Sequence, residues 1–228
     1  MALPGGELAS RPLYFFWICD CSGSMGGQKI QSLNTAIRES LPEMKQVADE
    51  NPSASIYLRV IEFSSGARWK NVQPVPLEKF SWSDLSAEST TDMGKAFEMV
   101  AEQLKMPPMP ERALPPVLVL VTDGQPTDDY KKGLKAINDL PWGKKSVRIA
   151  IAIGGDCDLD MLQEFIGNPE IKPLSANNPE ALARYIKWAS TAVVKDVSSP
   201  QSQPVSRRAA ANVQIPQPPA QGTDPDVW

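Results

Sequence analysis

A chain of 228 residues, 42% of them hydrophobic, closes one sizeable core and is too short for two ordinary α/β domains. A formal net charge of -4 with no long Lys/Arg cluster lacks the electrostatic footprint of a nucleic-acid binder. Histidine is absent, which excludes imidazole acid–base catalysis, and with no C-x-x-C either, a structural zinc site lacks its ligands.

Residues 1–11 read as an N-terminal extension. Pro4, two glycines and Glu7 precede the first apolar run, so the basic and apolar regions of a signal peptide are missing. The longest apolar stretches, Leu13 to Cys19 and Pro116 to Val121, have strand length and fall short of the roughly 20 residues that cross a bilayer. Cys19, Cys21 and Cys157 are odd in number, and the first two are too close along an extended strand to bridge, which suits free thiols in a reducing compartment. A soluble, cytoplasmic protein without a membrane partner is expected.

Leu13 to Cys19 is a continuous aromatic-rich run, the pattern of a strand buried on both faces of a parallel sheet. After a Gly-rich turn, Ile30, Leu33, Ile37, Leu41, Met44 and Val47 recur at three- and four-residue spacings and predict a long helix packed on that sheet. Ser55 to Phe63 predicts a strand, with Ala67 to Val72 as its hairpin partner and the antiparallel edge. Met93 to Met106 carries helical spacing until Pro107 and Pro108 end it.

Pro116 to Thr122 predicts a buried central strand, followed by Asp123-Gly124 and a helix begun by Pro126, Thr127, Asp128 and Asp129. A strand over Val147 to Ile153, a helix over Leu159 to Ile166, a strand over Ile171 to Leu174 and a last helix over Pro179 to Val194 complete the pattern. Strands alternating with helices imply an α/β fold over residues 12–196: a doubly wound, mostly parallel sheet with one antiparallel edge strand. Residues 197–228 turn to Pro, Gln, Ser and Ala and read as a disordered tail, in which Ile215 and Trp228 are isolated hydrophobes suited to a short docking motif.

In an open parallel sheet ligands gather beyond the carboxyl ends of the strands. Three loops in such positions carry oxygen-bearing residues: Asp20-Cys-Ser22-Gly-Ser24, Ser89-Thr90-Thr91-Asp92 and Thr122-Asp123-Gly124. Hydroxyls from Ser22, Ser24 and Thr91 with carboxylates from Asp20 and Asp123 make an all-oxygen set suited to a hard cation such as Mg²⁺, and Mn²⁺ or Ca²⁺ accept the same donors. Asp20, Ser22 and Ser24 converge only if the chain curls from strand into turn, which Gly23, Gly26 and Gly27 permit. Asp and Ser at a strand-to-helix turn also serve as caps without any metal; the conjunction of three loops in this chain order favours the metal.

Asp-x-Ser-x-Ser after the first strand, a later Thr, and Asp-Gly after the central strand resemble the metal-ion-dependent adhesion site of von Willebrand factor type A domains, over about residues 12–195. More narrowly, the chain resembles the bacterial TerY-like branch, associated with tellurite and stress resistance. The resemblance implies that Ser22, Ser24 and Thr91 coordinate Mg²⁺ directly, that Asp20 and Asp123 hold it largely through water, and that a partner's Asp or Glu completes the shell. It also implies a protein partner, a kinase, phosphatase or ATPase among the candidates. The loop departs from the more usual Gly-Gly-Thr, so Thr90 and Thr91 both compete for the ligand position; spacing to Met93-Gly94 favours Thr91. Asp92 either tunes the metal or caps the helix, and capping is the simpler reading.

A binding module is therefore expected, not an enzyme. The alternative is a Mg²⁺-dependent phosphatase of doubly wound fold with Asp20 as nucleophile, but that mechanism wants a second carboxylate where Ser22 stands.

Overall fold

The computed structural model describes residues 10–199, 215–220 and 227–228. In chain order the elements are β1 (Arg11–Asp20), α1 (Gln28–Glu50), β2 (Ala54–Ser64), β3 (Gly66–Trp69), β4 (Val75–Pro76), α2 (Met93–Gln103), β5 (Val117–Thr122), α3 (Tyr130–Asp139), α4 (Pro141–Lys145), β6 (Val147–Ile153), α5 (Leu159–Ile166), β7 (Leu174–Ala176), α6 (Pro179–Ser190) and α7 (Ala192–Ser198). The sheet runs β3-β2-β1-β5-β6-β7, with β4 also paired to β2. Every pairing is parallel except those of β3 and β4, which lie antiparallel along β2.

The unbroken apolar runs are explained by burial on both faces. In β1, Leu13, Phe15, Trp17 and Cys19 join one core cluster, while Phe16 and Ile18 join the other. In β5, Val117, Val119 and Val121 face the first cluster and Leu118 and Leu120 the second. Alternation along the strand thus feeds two separate cores, and a strand with helices on both sides has no polar face to show in its sequence. Helices α1, α6 and α7 close the first core; α2, α3, α4 and α5 close the second, where Phe97 and Phe165 stack at 5.2 Å.

Several boundaries differ from the sequence expectation for local reasons. The helix expected to begin at Pro126 begins at Tyr130, because Thr127 bonds to the loop at Thr91 and Asp128 to the first turn of α2 instead of opening a helix. The single helix expected over 179–194 is two, broken at Thr191, whose hydroxyl donates to the Lys187 carbonyl at 2.7 Å. The last strand sits three residues later than expected, at Leu174–Ala176, and α2 stops at Gln103.

The irregular stretch between β4 and α2 is fixed by a buried side chain on α1. Asn34 accepts from the Leu85 amide at 2.8 Å and from Trp82 Nε1 at 3.0 Å, and donates to the Leu85 carbonyl at 3.0 Å. A buried amide that makes three hydrogen bonds to one loop pins that loop, since leaving those groups unpaired would cost about 1–3 kcal/mol each. No described helix is long and apolar enough to cross a membrane. The expected tail falls largely outside the described residues; residues 215–220 have no regular structure, and Ile215 and Trp228 pack half-buried against the first core.

Candidate functional site at the carboxyl end of the sheet

β1, β5 and β6 end side by side, and the loops leaving them meet there. The β1 loop folds back through a short 3-10 turn at Gly23–Met25, in which the Met25 amide donates to the Ser22 carbonyl at 3.0 Å. Gly27 takes φ +72°, the left-handed conformation that starts α1. Gly23 serves a different purpose: a Cβ there would lie 3.3 Å from the Ser89 carbonyl, whose oxygen accepts from the Gly23 amide. Of the three glycines expected to allow the curl, Gly27 therefore supplies the torsion and Gly23 the close approach.

This turn brings four of the five anticipated residues into one hydrogen-bonded chain. The Ser22 amide donates to Asp20 Oδ1 at 2.8 Å, the hydroxyls of Ser22 and Ser24 lie 3.0 Å apart, and Ser24 donates to Asp123 Oδ1 at 2.8 Å. Asp20 and Asp123 are both buried. Burial holds the Asp20 carboxyl above its ordinary range, partly offset by the hydrogen bonds from Thr122 and Ser22. Asp123 Oδ2 receives Lys29 Nζ at 2.6 Å.

Thr91, the fifth residue, reaches the same end of the sheet on the loop before α2. It is buried, and its hydroxyl makes no hydrogen bond among the described residues. The Thr90 hydroxyl instead turns toward the β2–β3 hairpin, 3.1 Å from Ser65 Oγ. Thr91 is held by its backbone: its carbonyl accepts from the Thr127 amide at 2.9 Å, and its amide donates to Thr127 Oγ1 at 3.2 Å. Asp92 occupies the residue before α2 but does not cap it. Its carboxylate accepts from the Gly66 amide at 2.7 Å and from Thr127 Oγ1 at 3.2 Å. The capping expected of Asp92 is done by Asp128, which accepts from the Gly94 and Lys95 amides at 2.8 and 2.9 Å.

Sequence reasoning gave no place in the site to Thr127, Asp128, Lys29 or Cys157, and named Thr122 only as part of the loop after the central strand. Thr122 donates to Asp20 Oδ2 from the neighbouring strand, and Cys157 Sγ lies 3.3 Å from the Thr122 carbonyl. Burial pushes the Cys157 thiol up to about 12, and the Cys21 thiol likewise to about 12, so neither is an activated nucleophile. Lys29 was legible only as one lysine in a first helical turn, where nothing in the letters aims it at Asp123. Among the described residues no group of three or more His, Cys, Asp or Glu is placed to hold a metal; the groups in contact here are the Asp20 and Asp123 carboxylates and the hydroxyls of Ser22, Ser24 and Thr122.

A family model described as von Willebrand factor type A domain matches residues 16–185. No curated protein matches the chain in sequence. Among solved structures, the ArnB paralog VWA2 from Sulfolobus acidocaldarius is 17% identical with TM-score 0.59, covering 79% of this chain and 45% of that one. A von Willebrand factor type A protein from Catenulispora acidiphila is 16% identical with TM-score 0.60, covering 83% and 43%. Proximal thread matrix protein 1 from the mussel byssus, in a structure titled as having a zinc occupied MIDAS motif, is 16% identical with TM-score 0.57, covering 81% and 46%. The chain spans less than half the length of each of these three, and at such identities the likeness is one of fold.

Proposed function

The chain belongs to the von Willebrand factor type A domain family, and from that premise we propose that it is a protein-interaction module whose grip on its partner depends on a divalent cation. The observation that carries the reading is the Asp20–Ser22–Ser24–Asp123 chain of short contacts, assembled from loops that follow two different strands. Five oxygen donors of this kind fit Mg²⁺, and Mn²⁺ or Ca²⁺ accept the same set; nitrogen and sulfur ligands contribute nothing. Ser22, Ser24 and Thr91 would supply neutral hydroxyls and Asp20 and Asp123 the charge. Bound there, the cation would offer a positive centre to an incoming carboxylate.

A donor set with only two carboxylates leaves a divalent cation little overcompensated, so a partner's Asp or Glu gains more than it would at a carboxylate-rich site. The mussel byssus protein, whose structure has a zinc occupied MIDAS motif, supports metal binding by this fold. A TerY-like stress-response complex with a kinase, phosphatase or ATPase partner, in the cytoplasm, is the finer reading; it rests on the sequence resemblance, and three unpaired cysteines suit a reducing compartment.

The test is calorimetric titration of MgCl₂ into chelator-treated protein, beside Asp20→Ala and Asp123→Ala. Saturable binding in the wild type that disappears in both variants is expected. A wild type giving no heat and no melting shift with Mg²⁺, Mn²⁺ or Ca²⁺ would sink the metal reading and leave the hydroxyl–carboxylate chain as a structural turn.

A further inference from the structure

β7 is the last strand on its side of the sheet, three residues long, paired with β6 and with no further strand among the described residues. Such an edge is a template for another chain, and folded proteins cover it. Past the carboxyl end of β7 the chain meets a segment from far along the sequence. The Val227 amide donates to the Asn177 carbonyl at 3.0 Å, and Trp228 Nε1 donates to the Ala176 carbonyl at 2.8 Å, an oxygen that also accepts from the Gly154 amide at 2.9 Å. The indole is half-buried against the core between the sheet and α1/α6.

A second anchor lies at the opposite end of β6. Ile215 packs half-buried against the same core and lines a cavity of about 300 Å³ with Lys144, Val147, Arg148, Ile166 and Ile171. β6, at seven residues, is about 23 Å long, within the reach of the 13 residues from Ile215 to Trp228, which extend to at most about 45 Å. Two isolated hydrophobes in a Pro- and Gln-rich segment therefore each pack against the first core, one near either end of β6.

We propose that the carboxyl end of β7, with the Ala176 and Asn177 carbonyls, is a docking groove for an aromatic residue, filled in cis by this chain's own Val227–Trp228. The indole fits because it offers a flat apolar body and one N–H, and the groove offers an apolar floor and one free carbonyl direction. Val227 contributes through its backbone alone, the mode by which an extended segment adds to a sheet end. Tethering places the occupant at millimolar effective concentration, so a weak contact suffices to keep the groove filled. A segment of another protein presenting an aromatic N–H donor would have to displace Trp228 first.

The experiment is hydrogen–deuterium exchange on the full chain, comparing wild type with Trp228→Ala, Trp228→Phe and Val227→Pro, with light scattering to read mass. Expected are a monomeric wild type and, in Trp228→Ala, at least ten-fold faster exchange in peptides covering 174–178 and 227–228, with other strands unchanged. Trp228→Phe, which keeps the ring but removes its donor, and Val227→Pro, which removes the amide, should each lose part of that protection. Unchanged exchange in all three variants would overturn the proposal. A wild-type dimer that dissociates in Trp228→Ala would place the indole in a second copy's groove and overturn the cis assignment.

Discussion

A Cβ on Gly133 of α3 would lie 2.4 Å from the carbonyl oxygen of Gly94 on α2, and one on Gly94 would lie 2.6 Å from the carbonyl oxygen of Asp129. The two helices touch backbone to backbone. That contact seats Asp128 over the first turn of α2 and Thr127 beside Thr91, so the loop after β5 is hydrogen-bonded to the loop before α2.

Gly133→Ala and Gly94→Ala should each destabilise the domain by about 1–3 kcal/mol, because the obstructing atoms are backbone and cannot swing aside. Gly124→Ala is the contrast. Its Cβ would meet nothing closer than Ser24 Oγ at 3.9 Å, an ordinary contact, so its stability in urea denaturation should stay within about 0.5 kcal/mol of wild type. Equal losses for all three would mean that the helix contact is not tight in solution.

Asp128→Ala removes the acceptor of two amides in the first turn of α2, a loss of about 1–2 kcal/mol in urea denaturation. Asp92→Ala should leave α2 itself unfrayed and instead loosen the β2–β3 hairpin at Gly66, an outcome that amide exchange distinguishes. Faster exchange at 93–96 in Asp92→Ala than in Asp128→Ala would reverse the capping assignment.

Thr122→Val keeps the shape of the side chain but deprives buried Asp20 of a donor. A cost of about 1–3 kcal/mol is expected at neutral pH, where the carboxylate is charged. That cost should shrink as the pH falls through the raised Asp20 range, since a protonated carboxyl can do without one donor. A loss independent of pH between neutrality and the acid range would show that the bond does not solvate the charge.

Cys21 and Cys157 should resist a disulfide exchange reagent at pH 8. With both thiols held at about 12, on the order of one in 10⁴ is thiolate there. Labelling should become rapid only in denaturant, and a single fast-reacting cysteine in the native protein would contradict this.

Periodicity and run length were enough to read the α/β order, the two-faced burial of β1 and β5 and the hairpin edge, because burying a strand on both faces leaves no choice of residue type. The placement of Asp20, Ser22, Ser24 and Asp123 in the loops directly after β1 and β5 was legible as well, since each follows a strand-like run; Thr91 instead lies on the loop before α2. What the letters left open was which neighbour each polar group takes. Thr90 and Thr91 are told apart in sequence only by spacing to Met93-Gly94, and the fold separates them by turning the Thr90 hydroxyl toward Ser65 and burying Thr91. Asp92 and Asp128 both look like caps, and only the Gly94–Gly133 contact decides that the distant one does the capping. Trp228 and Ile215 look like stray hydrophobes until the fold brings both against the first core. Local patterning determines elements because it acts through the chain's own period; partners across the sheet are chosen by packing, which no window of sequence contains.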